Sequence, residues 1–566
     1  MGLHVADYAV LGAYFLFLLI IGLNEARKIK NSGDFFMPRK FGKVMMIMFS
    51  FTTGTHSDQA VGVCSKSFTN GVSGIWYQWL YLFATPFYWL IAPIMRRFRS
   101  ITMADVLNTR FGMSVSMLFA VFGVWHLVVT IGLMLRSSAE VMSSSTGNMI
   151  SVNLSIIVMT VMFGIFGVIG GMAASIIVGF VQGVLIIGFS FFLLPWVLYK
   201  IGGLQGLHDK LTDPAMLSMV TPKDISLFYL IVISIVALIG TGGMPSIIAA
   251  CGTGRTERDG RVGLTGGNFL KRLCTIPWCL TGVAAIIYYA GKPIHPDKVF
   301  GALANECLTG IMPGLLGVFI AATMAAVMSG CSAFMVSSAA LFTENFYKIF
   351  VLNKNAGHYI LVGRVASIAV VGGGVAFALW VRDVPKGLEI FWAVSTMIAI
   401  AFWMGIFWRR TTEIGAWAAT LAALATWWLS TQSFFISYLS NLPVNETLRL
   451  VVVKSTGPEM YLPWQMIFYL SAGILGGIIG SFLTKPLPEK RLDDFYALLR
   501  TPVQPGEKAA ASCILPEGVV PAPRRNLLPF KSLEIPVPSK ESVIGFLISW
   551  AIVAVLIYIV YFIITI

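Results

Sequence analysis

Runs of about twenty apolar residues recur along almost the whole chain, and that recurrence leaves lipid as the solvent for most of it. A spanning helix needs about 20 such residues. The chain offers fourteen runs: 6–24, 43–67, 72–96, 113–141, 151–170, 175–200, 224–251, 266–291, 313–347, 358–381, 386–408, 413–433, 461–484 and 543–566. Only 12% of its 566 residues are charged and 57% are hydrophobic, whereas soluble proteins carry about 25% charged residues. A water-soluble core this hydrophobic would expose too much apolar surface, and a disordered chain would be poor in apolar residues. The expected class is an all-α polytopic membrane protein, with every backbone polar group paired inside its own helix and the lipid bilayer as first partner.

The net charge of +14 has two readings: nucleic-acid binding, or basic cytoplasmic loops. Position decides. Loops on one side hold Arg27, Lys28, Lys30, Arg39, Lys40 and Lys43, then Arg96, Arg97, Arg99 and Arg110, then Arg255, Arg258, Arg261, Lys271 and Arg272. The same side holds Lys348, Lys354 and Arg364, then Arg409 and Arg410, then nine basic residues in 485–541; together these are 29 of the 40 Lys and Arg. Such asymmetry needs no nucleic acid, and with an even number of spans it puts both termini outside. Seven cysteines without CxxC spacing indicate neither a disulfide framework nor a zinc site. The first span starts near Met1 and is followed by basic residues, so it reads as a retained anchor.

The domain reading follows. Residues 1–484 form the main membrane domain, with 43–251 and 266–408 holding its core. Residues 485–541, with ten of the 25 prolines, form a cytoplasmic linker in which 491–500 can make a short surface helix. Residues 542–566 are a last transmembrane helix.

Two runs are interrupted where a helix should be most regular. In the second, Thr52-Thr53-Gly54-Thr55-His56-Ser57-Asp58-Gln59 places eight polar or small residues in mid-membrane, which is costly against lipid. Gly54 and the threonines allow unwinding, which frees backbone carbonyls for a cation or solute. In the seventh, Gly240-Thr241-Gly242-Gly243-Met244-Pro245 packs three glycines and a proline into six residues. The two lie five spans apart, the spacing expected of an inverted-repeat transporter with its site at the breaks.

The stretch 317–347, GVFIAATMAAVMSGCSAFMVSSAALFTENFY, with MADVLNTRFG (103–112), GRVASI (363–368) and GIFWRRTTEIGAWAATLAAL (405–424), resembles the sodium:solute symporter family over about residues 5–500. The resemblance implies a LeuT-like five-plus-five inverted repeat and secondary active, cation-coupled transport of a small polar solute. It implies a sodium site of three carbonyls, falling on Thr52, Thr55 and Ala326, and two hydroxyls. One hydroxyl falls on Ser329; the second position is Gly330 here. A family aspartate in the sixth span is Gly179. The implied sodium site is thus depleted by one hydroxyl and a nearby carboxylate. Solute contact is implied at Asp58 and Gln59.

From the residues alone, His56 and Asp58 could carry a proton in place of sodium or form a neutral, structural pair. His126 reads as a satisfied core histidine. Arg136 pairs with Glu140 one turn on, or draws an anion toward the pocket. Gln78, with Trp79, either lines the pocket or packs. Lys66 snorkels. Gly473, Gly476, Gly477 and Gly480 serve internal packing or a dimer face. No HExxH, CxxC, nucleophile elbow or phosphate loop marks an enzyme, and no cofactor is expected beyond Na+ or H+ as coupling ion. The expectation is a multi-pass carrier in the plasma (inner) membrane, monomeric or homodimeric, with a membrane partner protein left open. The alternatives are a proton-coupled or uncoupled carrier, or a transport-deficient sensor or partner subunit.

Overall fold

The computed structural model describes residues 3–27, 36–37, 39–211, 213–221, 225–381, 384–454, 457–504, 507 and 512–565. Lys28 and Lys30, counted above among the loop charges, lie outside that set.

Helices dominate. Those that frame the site and the membrane domain are α1 (Val5–Ala26), α2 (Lys43–Gly54), α3 (Ser57–Asn70), α4 (Thr85–Arg97), α5 (Met113–Ser145), α6 (Val152–Ile201), α7 (Leu227–Gly240), α8 (Ser246–Gly252) and α9 (Glu257–Tyr288). They continue with α10 (Leu315–Phe342), α11 (Ala356–Trp380), α12 (Val384–Phe407), α13 (Glu413–Ser430), α14 (Leu462–Phe482), α15 (Glu489–Arg500) and α16 (Lys540–Thr565). Among the described residues, eight helices are long and apolar enough to cross a membrane alone, and the bent pair α7–α8 makes a ninth.

Local chemistry sets several boundaries. Ser226 accepts from the Tyr229 N–H to start α7. Thr256 and Asp259 form a reciprocal capping box at the start of α9. Asp7, buried at the foot of α1, accepts from the Gly317 N–H at 2.7 Å and ties α1 to α10. The glycines of α14 press against α13: a Cβ at Gly476 would lie 2.9 Å from the Ala418 carbonyl. That run therefore serves internal packing.

The structure departs from the sequence expectations in several places. The third span is not one helix: Gly71–Ile75 is a 3-10 turn, Trp76–Trp79 a single helical turn, and the regular helix restarts at Thr85. Pro86 has no N–H to return to the Leu82 carbonyl, so the ladder must break there. The fifth and sixth expected spans fall within α6, which is continuous from Val152 to Ile201; the connecting residues contain neither proline nor charge to stop a helix. A small hairpin, Val451–Lys454 paired with Gly457–Met460, was not foreseen.

Within the linker, the short helix expected over 491–500 is present as α15 and is docked on the rest of the protein. α15 buries Leu492, Phe495, Tyr496, Leu498 and Leu499, and the Tyr496 hydroxyl donates to the Gly405 carbonyl at 2.8 Å. Arg491 donates to the carbonyls of Asn108 and Thr109. Arg409 pairs with Asp493 and Glu534.

Lys271 and Arg272 need correction as well. Counted as loop charges, they sit well inside α9 and are buried, with 6% and 1% of their surface exposed.

Candidate functional site between two broken helices

At the first break α2 stops at Gly54, and Thr55 and His56 are extended, with φ −121° and −125°. Two non-helical residues free the last carbonyls of α2 from their usual i+4 donors. Side chains take those donors' place. His56 Nε2–H donates to the Thr53 carbonyl at 2.7 Å. Gln59 Nε2 donates to the Gly54 carbonyl at 2.8 Å, and Lys271 Nζ, reaching across from α9, donates to the same oxygen. Asp58, 3% exposed, holds Oδ1 3.3 Å from His56 Nδ1. The freed carbonyls of Thr53 and Gly54 are thus satisfied by residues within five positions of them, with Lys271 the long-range exception.

At the second break α7 ends at Gly240, Thr241–Gly243 form a 3-10 turn, and α8 leaves at 72° to α7. Gly243 is required by close approach: a Cβ there would stand 1.9 Å from the Ser395 carbonyl of α12. Pro245 and Met244 complete the turn, with Met244 extended.

Both breaks face one cavity of about 110 Å³. One water takes about 10–15 Å³ of such space, so the cavity holds several waters or a small solute. The first break contributes Gly54, His56, Asp58 and Gln59; the second contributes Thr241, Met244 and Ser246. Gln78 joins them from the interrupted third span, and Asn268, Lys271 and Arg272 from α9. Tyr81, Tyr88, Phe334, Phe391 and Trp392 supply the aromatic wall. Several polar atoms here are buried without a hydrogen-bond partner: Asp58 Oδ1, Gln59 Oε1, Gln78 Oε1, Arg272 Nε and His126 Nδ1. Buried polar groups are normally paired, so this concentration makes the cavity the candidate binding site.

The sequence-derived candidates divide. His56, Asp58, Gln59 and Gln78 line the cavity together. Arg136 does not: it lies outside the lining and is held by Glu140 at 2.6 Å, so the anion-drawing reading is replaced by the helical ion pair. His126 is not the satisfied core residue expected. It lies on the cavity wall against Phe391, ring centroids 4.6 Å apart. Lys66 Nζ lies 5.0 Å from the centre of the Tyr77 ring.

Behind the cavity, α2 and α10 bring oxygens together. Ser329 Oγ lies 3.2 Å from the Ala326 carbonyl and 3.5 Å from the Thr52 carbonyl. Thr55 is buried with Oγ1 unpartnered. At Gly330 a Cβ would meet Met134 Cε at 2.3 Å and His56 Cδ2 at 2.9 Å. A Cβ at Gly179 would lie 3.0 Å from Thr52 Oγ1. At both positions a neighbouring side chain stands at or within 3.0 Å of where a Cβ would lie.

Lys271, Arg272, Asn268 and Trp392 were missed as site residues. A signal existed for two of them: adjacent basic residues within the apolar run 266–291, where an ionisable group is a functional candidate by default. Their nearness to the end of that run let them pass as loop charges.

Comparison with known proteins places this geometry. The chain is 24% identical over 502 residues to the osmoregulated proline transporter OpuE of Bacillus subtilis, covering 84% of this chain and 94% of that protein. It is 24% identical over 595 residues to sodium/glucose cotransporter 2 of Rattus norvegicus, covering 92% and 84%. In structure it resembles a substrate-bound, outward-open Na+-coupled sialic acid symporter, with a TM-score of 0.67 at 16% identity over 85% of this chain and 99% of that one. It also resembles Mhp1, a nucleobase-cation-symport-1 family transporter, with a TM-score of 0.52 at 12% identity over 81% and 99%. These likenesses show the fold of a LeuT-like transporter. The model of the sodium:solute symporter family matches residues 35–423, and the chain belongs to that family.

Proposed function

We propose that this protein moves a small polar solute across the plasma membrane by alternating access, driven by co-transported Na+. One observation carries the reading: two helices broken in mid-span meet at a single cavity whose buried polar atoms lack partners. In a transporter the solute supplies those partners. Relatives are named for transport of glucose, proline, pantothenate or myo-inositol, which supports a small polar solute here.

The Na+ ion binds between α2 and α10, at the carbonyls of Thr52, Thr55 and Ala326 and the Ser329 hydroxyl. The approach of Ser329 Oγ to two of those carbonyls supports this placement. The ion then joins the first break to α10, while the solute joins both breaks to α9 and α12. Binding both favours closure of the cavity over either component alone, which is the coupling. Rocking of the broken-helix bundle against the rest exposes the site to the other face.

Purified protein in liposomes tests this. Uptake of its solute rises with an inward Na+ gradient and falls to the leak when choline replaces Na+. Uptake that is indifferent to Na+ contradicts the coupling; no flux of a solute that binds contradicts transport.

A further inference from the structure

The cavity wall carries two buried cations, Lys271 and Arg272, and one carboxylate, Asp58. Counted at formal charge, and leaving His56 and His126 aside, the lining side chains sum to +1. Burying an uncompensated charge is among the costliest arrangements a protein can hold. Among the described residues, neither side chain is hydrogen-bonded to a carboxylate. Lys271 donates to a backbone carbonyl, that of Gly54. Arg272 Nη1 donates to the Gln78 carbonyl at 2.9 Å and Nη2 to Asn268 Oδ1 at 3.5 Å, its Nε has no partner, and its guanidinium lies 5.5 Å from the centre of the Tyr81 ring. Asp58 can offset one positive charge; the second is left over.

We propose that the solute is a small organic monoanion whose carboxylate is held by Arg272 and Lys271. The assignment rests on the transport reading above and narrows its solute class. A carboxylate returns the cavity to neutrality and gives Arg272 Nε the acceptor it lacks. The guanidinium fork suits a planar, two-oxygen anion, with Lys271 as a point charge beside it. Phe334, Phe391 and Trp392 line the same space and suit an apolar or aromatic body attached to the acid group. A neutral sugar would leave the extra charge buried. An amino-acid zwitterion would bring its own cation to a wall that already has one too many.

Matched pairs of probes test this on the intact protein in detergent and in liposomes. The acids are propionate, lactate, benzoate and nicotinate; the controls are their neutral amides, with nitrate, proline and glucose alongside. The expected result is that at least one carboxylate raises the melting temperature and its amide does not, with affinity falling tenfold or more in Arg272→Gln. Because acid and amide are compared on the wild-type protein, the test survives a variant that fails to fold. If the amides, glucose, proline or nitrate bind as tightly as the best acid, or if no acid binds, the assignment is overturned. The two readings fail separately. Glucose or proline flux would sink the anion site and keep the transporter, whereas carboxylate binding without flux would keep the site and sink the transporter.

Discussion

Gly330 shows what a single position can and cannot reveal from sequence. Its departure from the family pattern was legible at once, because a hydroxyl was expected and none is there. Its cause was not, because it lies in residues far away in the chain. Met134 and the His56 ring occupy the volume a side chain would need. Gly330→Ser should therefore fail to restore the family's second hydroxyl and should instead destabilise the fold by about 1–3 kcal/mol, the usual scale for overpacking, read as a lower melting temperature. An unchanged melting temperature with tighter Na+ binding would contradict this. Ser329→Ala removes a hydroxyl poised between two carbonyls. It should raise the Na+ concentration for half-maximal uptake about tenfold while the apo protein keeps most of its stability; equal Na+ dependence would contradict the site. His56, Asp58, Gln59 and Gln78 were readable as cavity residues because polar groups in an apolar run have few other uses. Lys271 and Arg272 were not, because charge near the end of a hydrophobic run looks the same whether it faces headgroups or a cavity.

At the scale of elements, both breaks were legible because glycine, proline and clustered threonine act locally. The interrupted third span and the docked α15 depend on less local causes. α15 looks in sequence like a short amphipathic tether segment, and only its neighbours show that its apolar face is covered. Gly243→Ala puts a methyl group 1.9 Å from the Ser395 carbonyl, so α7, α8 and α12 must separate, and the melting temperature should fall; a variant as stable as wild type would show that the turn has room. Next to α15, Glu507 pairs with Arg99 at 2.5 Å. Burial pushes its pKa up, but the Arg99 hydrogen bonds, the Gln504 N–H and the charges of Arg99 and Arg96 outweigh that and hold it below the usual carboxylate value. A lowered folded-state pKa stabilises docking above the ordinary carboxylate range and loses that contribution as pH falls through the folded value. Hydrogen exchange over 489–504 should therefore be faster in Glu507→Gln than in wild type at pH 7, and the two should converge in acid. Equal exchange at pH 7 would contradict the role given to the pair.

For the whole molecule, composition fixed the solvent and the spacing of the breaks indicated the repeat, since few chains this apolar can satisfy their backbones in another way. Helix count was harder. α6 has 50 residues, about 75 Å if straight at 1.5 Å per residue, against about 30 Å of hydrocarbon. One crossing by so long a segment would place the two termini on opposite faces; two crossings place them on the same face. Reporters fused at each end should give matching locations, and opposite locations would overturn the fourteen-span topology. The central claim is that the cavity between the breaks opens to each side in turn. A single cysteine at Thr241, in a background with the seven native cysteines replaced, measures it with a membrane-impermeant thiol reagent applied to either face. The account predicts labelling from both faces, with Na+ shifting the balance toward one of them. Labelling from neither face, or from the same face alone with and without Na+, would contradict it.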